Sequence, residues 1–424
     1  MSIALPSTPA SVGSKHTQEP AMPEDENQLP NEDQYQPQHV LSKVSKTLGK
    51  DTFFWAPTSQ RLIGGLNHNV TPVNSKILHT WATLLDTTND RRVRFEIYPV
   101  QITKVPIGLF YYERYRSGEN VPEMSTEPLP PGDYDFQVFA NTKIDPIAPT
   151  SNILSFKQIK YQSTLPKEKS WLLRPVAPEM MYMFDVPDDI QKEVIERDGG
   201  RCLISGTAGD DEITVVWAIP PPLPFAMRYV DGGGVYKSTT ELYKSDNAFT
   251  LRKDLADAFL DGAFGVDVDD DYRIVVLKNF GPAAQPLIGP NIQAYFHHPG
   301  VKAQFKVGPK DIFLRAHFVN CLYINFQGGD IVTQYPTHIV EEREKLLGFY
   351  PGESRVSRRS RLWGDELSQL IYEHYYQRPF GPDSDNSDTE FEYESDLDEE
   401  LVIGCSGNYE DEGDLGNTNV RDSK

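Results

Sequence analysis

The sequence predicts an α+β protein: a β-rich N-terminal unit, then a second unit of short strands and helices with helical additions, between disordered termini. Three observations carry that expectation. Short runs such as Arg94-Phe95-Glu96-Ile97-Tyr98 alternate in character between Pro, Gly and Asn punctuation, which is a strand pattern. From Pro187 onward, helical spacing and strand alternation follow one another over short distances. Both ends of the chain are polar and poor in apolar side chains, too poor to offset the entropy of ordering.

The 424 residues divide on this basis into a disordered segment (1–50), a β-rich domain (51–165), a second domain (170–350), a basic linker with a helix (351–380) and an acidic disordered tail (381–424). In the β-rich part, Phe53-Phe54-Trp55 opens the first strand. The run from Ile107 through Tyr112 reads as another, and Pro130-Pro131-Gly132 turns the chain into Phe136-Gln137-Val138-Phe139. Tyr111, Tyr112 and Tyr115 beside Arg114 and Arg116 read as sheet packing with snorkelling arginines, with a binding face as the alternative.

The second domain opens on a helix with Asp188 as N-cap and Gln191 three residues later; Ile190, Val194 and Ile195 form its apolar face, and Gly199-Gly200 ends it. Cys202-Leu203-Ile204 and the run from Ile213 to Ile219 suit a hairpin. Phe249, Leu251, Leu255 and Phe259 then fall at helical spacing over 248–260, stopped by Gly262. Phe264, Val266 and Val268, the turn Asp269-Asp270-Asp271, and Tyr272, Ile274 and Val276 form the clearest hairpin. Further helices are expected at 314–326 and from Gly364.

Charge and cysteine content narrow the function classes. The chain carries 62 acidic against 41 basic residues, a formal charge of −21. Residues 382–424 hold 15 acidic and 2 basic residues, hence −13 of that total, which leaves −8 on the rest. Net acidity weakens a nucleic-acid partner, because Lys and Arg neutralising phosphates supply most of non-specific affinity. A protein partner is the other expectation. Arg355, Arg358, Arg359 and Arg361 form the one dense basic run and are the candidate basic contact, with a solvated linker docking against the tail as the bland alternative. Ser384, Ser387 and Ser395 lie among the tail carboxylates, a setting for phosphorylation. Cys202, Cys321 and Cys405 are too widely spaced for a CxxC metal site or a disulfide framework. With no secretory leader or membrane span in view, the expected location is the cytoplasm or nucleus, without membrane contact.

The succession Arg197-Asp198-Gly199-Gly200-Arg201-Cys202-Leu203-Ile204-Ser205-Gly206, then Ala218-Ile219-Pro220, then Asn247 before Leu251-Arg252-Lys253-Asp254-Leu255, and finally the 264–276 hairpin, resembles the fungal HNH nuclease domain-containing proteins. Phe313-Leu314-Arg315-Ala316-His317-Phe318 is similar to the helix that follows their finger. The resemblance implies a ββα-metal finger. In that family a histidine near the first strand deprotonates water, an asparagine orients it, and a helix histidine holds a divalent ion. Here Ala218 and Ala256 replace the histidines and Asn247 alone is retained. No histidine falls anywhere between Arg197 and Leu277.

Three readings follow. The first is a catalytically degenerate finger that acts as a binding or scaffold module. The second is a divergent endonuclease in which Asp254, Asp257 or Asp261 holds Mg2+ or Mn2+, the bland reading being solvated helix carboxylates. The third is small-molecule chemistry around Trp217 and Pro220-Pro221-Pro222. Asn247 with Asp246 also reads as a helix cap. His317 reads as a core histidine, and the adjacent His297-His298 as weak ligand evidence. Whether Trp217 or Ala218 stands at the histidine position turns on one residue of strand register.

Overall fold

The computed structural model describes residues 35–56, 61–86, 94–104, 112–139, 153–164, 176–208, 212–227, 238–287, 308–327, 331, 335, 337–349 and 353–376. Its described part is a mixed α+β protein. The expectations for the first 34 residues, the acidic tail, Tyr111 and His297-His298 lie outside the described residues.

Ordered structure begins earlier than the sequence suggests. Helix α1 (Lys43–Leu48) is capped by Ser42, whose hydroxyl accepts the Ser45 N–H at 3.1 Å, and it ends at Gly49 with φ 59°. The expected disordered segment 1–50 therefore gives way to packed chain over 35–50. The few apolar residues there suffice because they are stitched by polar contacts. Tyr35 donates to Asp133, whose other oxygen accepts Trp55 Nε1 at 2.9 Å, and His39 packs edge-on against Phe53.

Strands β1 (Thr52–Trp55), β2 (Leu62–Leu66), β3 (Arg94–Lys104), β4 (Tyr112–Arg116) and β5 (Gly132–Phe139) form one sheet in the order β2-β1-β5-β3-β4. Only β1 and β5 run parallel; the other pairs are antiparallel. Helix α2 (Ser75–Leu85), capped by the Asn74 side chain, buries Leu78, Trp81 and Leu85 on one face. Phe53, Trp55, Val100 and Ile102 pack on the other with Leu41 and Tyr112. Arg114 pairs with Asp135 at 2.9 Å, and the Arg116 guanidinium lies 3.8 Å from the Tyr98 ring centre. Tyr115 stays 55% exposed.

Helices α3 (Phe156–Thr164) and α4 (Asp188–Arg197) follow. Pro187 rather than Asp188 occupies the N-cap of α4, with no side-chain cap bond. The Gln191 amide instead reaches back to the Val186 carbonyl at 2.6 Å. Strand β6 (Ile213–Trp217) pairs antiparallel with β7 (Ala248–Arg252), the short helix α5 (Thr239–Leu242) lying between them in sequence. This corrects two expectations. Residues 202–206 make a tight turn, with Gly206 N–H on the Cys202 carbonyl, instead of a strand partner for β6. The expected helix 248–260 splits into β7 and α6 (Lys253–Leu260). Phe249 and Leu251 satisfy both periods, and pairing with β6 decides for the strand.

Strands β8 (Phe264–Asp267) and β9 (Arg273–Val276) form the expected hairpin, whose tip carries Asp271 and Tyr272 at φ 52° and 59°. Helix α7 (Asp311–Cys321) lies across β8 and ends in a π-turn, Leu322–Phe326. Gly64 of β2 meets that turn so closely that an added Cβ would stand 2.3 Å from the Phe326 carbonyl oxygen. Helices α8 (Thr337–Leu346) and α9 (Glu366–Tyr376) complete the described chain.

The two sequence-defined domains share a core. Val275, Leu277, Phe318, Leu322 and Phe326 pack in one cluster with Phe54, Leu78, Trp81 and Phe136. The described residues on either side of position 165 are accordingly packed together. Apolar surface on the back of the 264–276 hairpin and on α7 needs the first sheet to cover it.

Candidate functional site

Strand β6 pairs with β7, which runs directly into α6, and the residues singled out in the sequence converge on these elements. Arg197, at the end of α4, donates to the carbonyls of Ser245 and Ala248 at 2.8 and 2.7 Å and to Asp198 at 2.7 Å. Asp198 in turn accepts the Thr250 N–H and hydroxyl at 2.9 and 3.1 Å. The Arg197-Asp198 pair thus clamps α4 to β7, a structural role the sequence alone does not disclose.

Asn247 is fully buried and fully committed. Its amide donates to the Ile219 and Leu242 carbonyls at 2.6 and 2.8 Å, and its Oδ1 accepts the Ile219 N–H at 3.0 Å. The Asn247 backbone carbonyl also takes the Ala218 N–H at 2.7 Å. One side chain therefore closes the long connection between β6 and β7. Both amide hydrogens are used, which leaves none to orient a histidine. The cap reading of Asn247 is corrected here: α6 has Arg252 at its N-cap, and Asn247 sits five residues earlier in a 3-10 turn, Ser245–Asn247.

The register of β6 is settled by packing. Val216 and Ala218 join the cluster that contains Leu255 and Ala256 of α6, whereas Trp217 packs on the other face with Ile190, Val194 and Ala248. Ala218 is thus the residue that shares a core with α6. Ala218 is 0% and Ala256 6% exposed, so both methyl groups are buried in that cluster. The Trp217 ring is 1% exposed and its Nε1 has no hydrogen-bond partner among the described residues. A cleft of about 390 Å3 exists elsewhere, lined by Thr71, Asn74 and Lys76 opposite Asp269, Asp271 and Arg273.

The three aspartates are each engaged by a different cation. Asp254 receives a bidentate pair from Arg252 at 2.6 and 2.8 Å, which holds its carboxyl below the usual carboxylate range. Asp257 meets Lys157 at 3.0 Å in an exposed pair. Asp261 binds Lys278 at 2.8 Å and the Ser155 hydroxyl at 2.9 Å. Among the described residues no group of three or more His, Cys, Asp and Glu side chains is arranged to hold a metal ion.

His317 is 1% exposed and stacks flat on Phe259 with ring centres 3.5 Å apart. Its Nε2 bonds the Phe259 carbonyl at 2.9 Å, and Nδ1 faces Cys321 Sγ at 3.4 Å. The Phe259 carbonyl can only accept, so Nε2 carries the proton and Nδ1 is an acceptor, while the Cys321 thiol lies within reach of both Nδ1 and the Phe264 carbonyl at 3.5 Å. Burial pushes the His317 pKa down to about 3 and the Cys321 thiol well up, so the pair stays neutral and has no thiolate to offer as nucleophile.

The basic run is the other candidate, and it is built on aromatic side chains. Arg355 lies 4.7 Å from the ring centre of Phe349 and 5.2 Å from that of Tyr376, and donates to the Tyr376 hydroxyl at 2.7 Å. Arg358 lies 5.0 Å from the Tyr372 ring. Arg359 and Arg361 are exposed beside them.

No protein family, curated protein or solved structure matches this chain. No helix among the described residues is long and apolar enough to cross a membrane.

Proposed function

We propose that this chain carries a catalytically degenerate HNH-like finger that works by binding, as a scaffold for a partner, and does not cut phosphodiesters. The observation that supports the reading is the pairing of β6 with β7, which runs on into α6, with Asn247 locking the connection, while Ala218 and Ala256, the positions that the resemblance aligns with the reactive histidines, lie in one apolar cluster. A frame kept without its base and its metal ligand forgoes about a hundred- to ten-thousand-fold from general-base catalysis alone. The same reading makes the cytoplasm or nucleus the place of action and a protein or nucleic acid the partner class. The divergent-nuclease reading draws no support from Asp254, Asp257 and Asp261, whose charges are spent on Arg252, Lys157 and Lys278. The small-molecule reading asks for a pocket at Trp217, and that ring is packed.

Plasmid nicking by the purified full chain in Mg2+, Mn2+ or EDTA tests the proposal. Equal, background-level nicking in all three is expected. Metal-dependent cleavage that disappears in Asn247→Ala, Asp254→Ala protein would overturn it.

A further inference from the structure

We propose that the cleft between α2 and the β8–β9 hairpin is a binding site for a small aliphatic primary amine, held as its ammonium ion on Asp267. The cleft lies outside β6, β7 and α6, and the proposal stands whether or not the finger reading holds.

The cleft encloses about 390 Å3, within the range of about 300–1,000 Å3 that small-molecule sites occupy. Asp267, the last residue of β8, lines it and is 1% exposed. One of its carboxylate oxygens accepts the Asp269 N–H at 3.1 Å, and the other accepts the Trp81 indole N–H at 3.4 Å. A carboxylate offers about four acceptor sites, so this one is only half satisfied. Its cross-strand neighbour Arg273 turns its guanidinium to Asp270 at 2.7 Å instead, and no other Lys, Arg or His among the described residues pairs with Asp267. Burial holds the Asp267 carboxyl above the ordinary carboxylate range. A buried carboxylate without a counter-cation carries a desolvation cost that an ammonium ion in the cleft offsets.

The rest of the wall is neutralised and fixed. Asp269 takes a bidentate pair from Arg315 at 2.6 and 2.9 Å, and Asp270 takes Arg273. Tyr272 donates to Asp311 at 2.8 Å, so the hairpin tip is tied to α7. This arrangement selects an organic cation. An anion would meet the Asp267 carboxylate and is disfavoured. A calcium ion asks for about six to eight oxygen ligands, and among the described residues no group of three or more His, Cys, Asp and Glu side chains is arranged to hold a metal. Val73, Ile77, Ile274 and Leu287 also line the cleft and suit a hydrocarbon body. Lys76 lines it too but is exposed, where solvent screens its charge. A single lysine side chain from a partner protein would leave much of the volume unfilled, which favours a free small molecule.

Methyl NMR of the full-length protein labelled at isoleucine reads the cleft through Ile77 and Ile274. The probes are pentylamine, its neutral counterpart pentanol, a short lysine-containing peptide, and Mg2+ alone. Pentylamine is expected to shift both methyl signals and to bind about tenfold tighter than pentanol, the effect of one charge-assisted hydrogen bond. Asp267→Asn should remove that preference, and Thr80→Trp, which fills the cleft from α2, should abolish binding of both. The second variant keeps the test decisive if the first fails to fold. No shift with pentylamine, equal affinity for the alcohol, tighter binding of the lysine peptide or of Mg2+, or unchanged binding in the folded variants would each overturn the proposal. Plasmid nicking plays no part in this readout, so its failure is distinct from failure of the finger reading.

Discussion

The β6–β7–α6 region and the basic run on its aromatic side chains are opposites in how they hold polar groups. In the first, polar side chains point inward and bond the backbone: Asn247 closes a loop, and Arg197 and Asp198 clamp a helix to a strand. In the second, charge lies outward on an aromatic bed, and the backbone around it forms little regular structure before α9. The contrast teaches that a polar side chain's place, inside the core or outside it, decides whether it holds the backbone or faces solvent.

The largest effect that would break this contrast belongs to Asn247. Asn247→Ala strands the Ile219 N–H and the Ile219 and Leu242 carbonyls in a dry core, and each such group costs about 1–3 kcal/mol. Urea unfolding should therefore register a loss of about 3 kcal/mol or more. A loss below about 1 kcal/mol would mean that the connection is closed by other contacts.

The next effect is a pH dependence seated in His317. Its folded pKa is depressed to about 3 from 6.5, so below 6.5 the unfolded chain binds a proton that the folded chain refuses. Stability from this group is complete above pH 6.5 and is lost as pH falls toward 3, with a slope of up to about 1.4 kcal/mol per pH unit. Chemical denaturation between pH 7 and pH 4 should show that slope diminished in His317→Gln relative to wild type. An identical slope would assign the acid sensitivity to other groups.

The smallest expected effect is at the surface of α6. Asp254→Asn removes a pair whose carboxyl is 49% exposed, and solvent screening should hold the loss under about 1 kcal/mol by thermal melting. The contribution of a carboxyl with a lowered pKa is present above its ordinary value and fades as pH falls through the folded one. A larger loss would give Asp254 a role beyond its partner Arg252.

Much of the fold was legible where one period had no competitor. The 264–276 hairpin, β3, β5 and the helices around Val194 and Leu370 follow from alternation, turn residues and apolar spacing. Residues 248–260 were ambiguous because Phe249, Leu251, Leu255 and Phe259 satisfy a strand and a helix alike, and the hydrogen-bonding partner lies more than thirty residues upstream in β6. Residues 35–50 were misread because their stability comes from Tyr35 and Trp55 meeting Asp133, a contact across almost a hundred residues. The roles of Asn247 and Arg197 were hidden, because their partners Ile219 and Ala248 lie 28 and 51 residues away in sequence.

By itself the sequence determined the α+β class, the acidic tail, the absence of histidine between Arg197 and Leu277, and the concentration of arginine at 355–361. These are matters of composition and local period, and no folding is needed to read them. Only the tertiary structure decided that Ala218 shares a core with Ala256 while Trp217 faces α4, that each candidate aspartate is spent on its own cation, and that the arginines rest on aromatic rings. The physical reason is that strand facing and most of these charge and ring contacts depend on which segments the core brings together; the Arg252–Asp254 pair alone lies within two residues, and there the side-chain geometry decides.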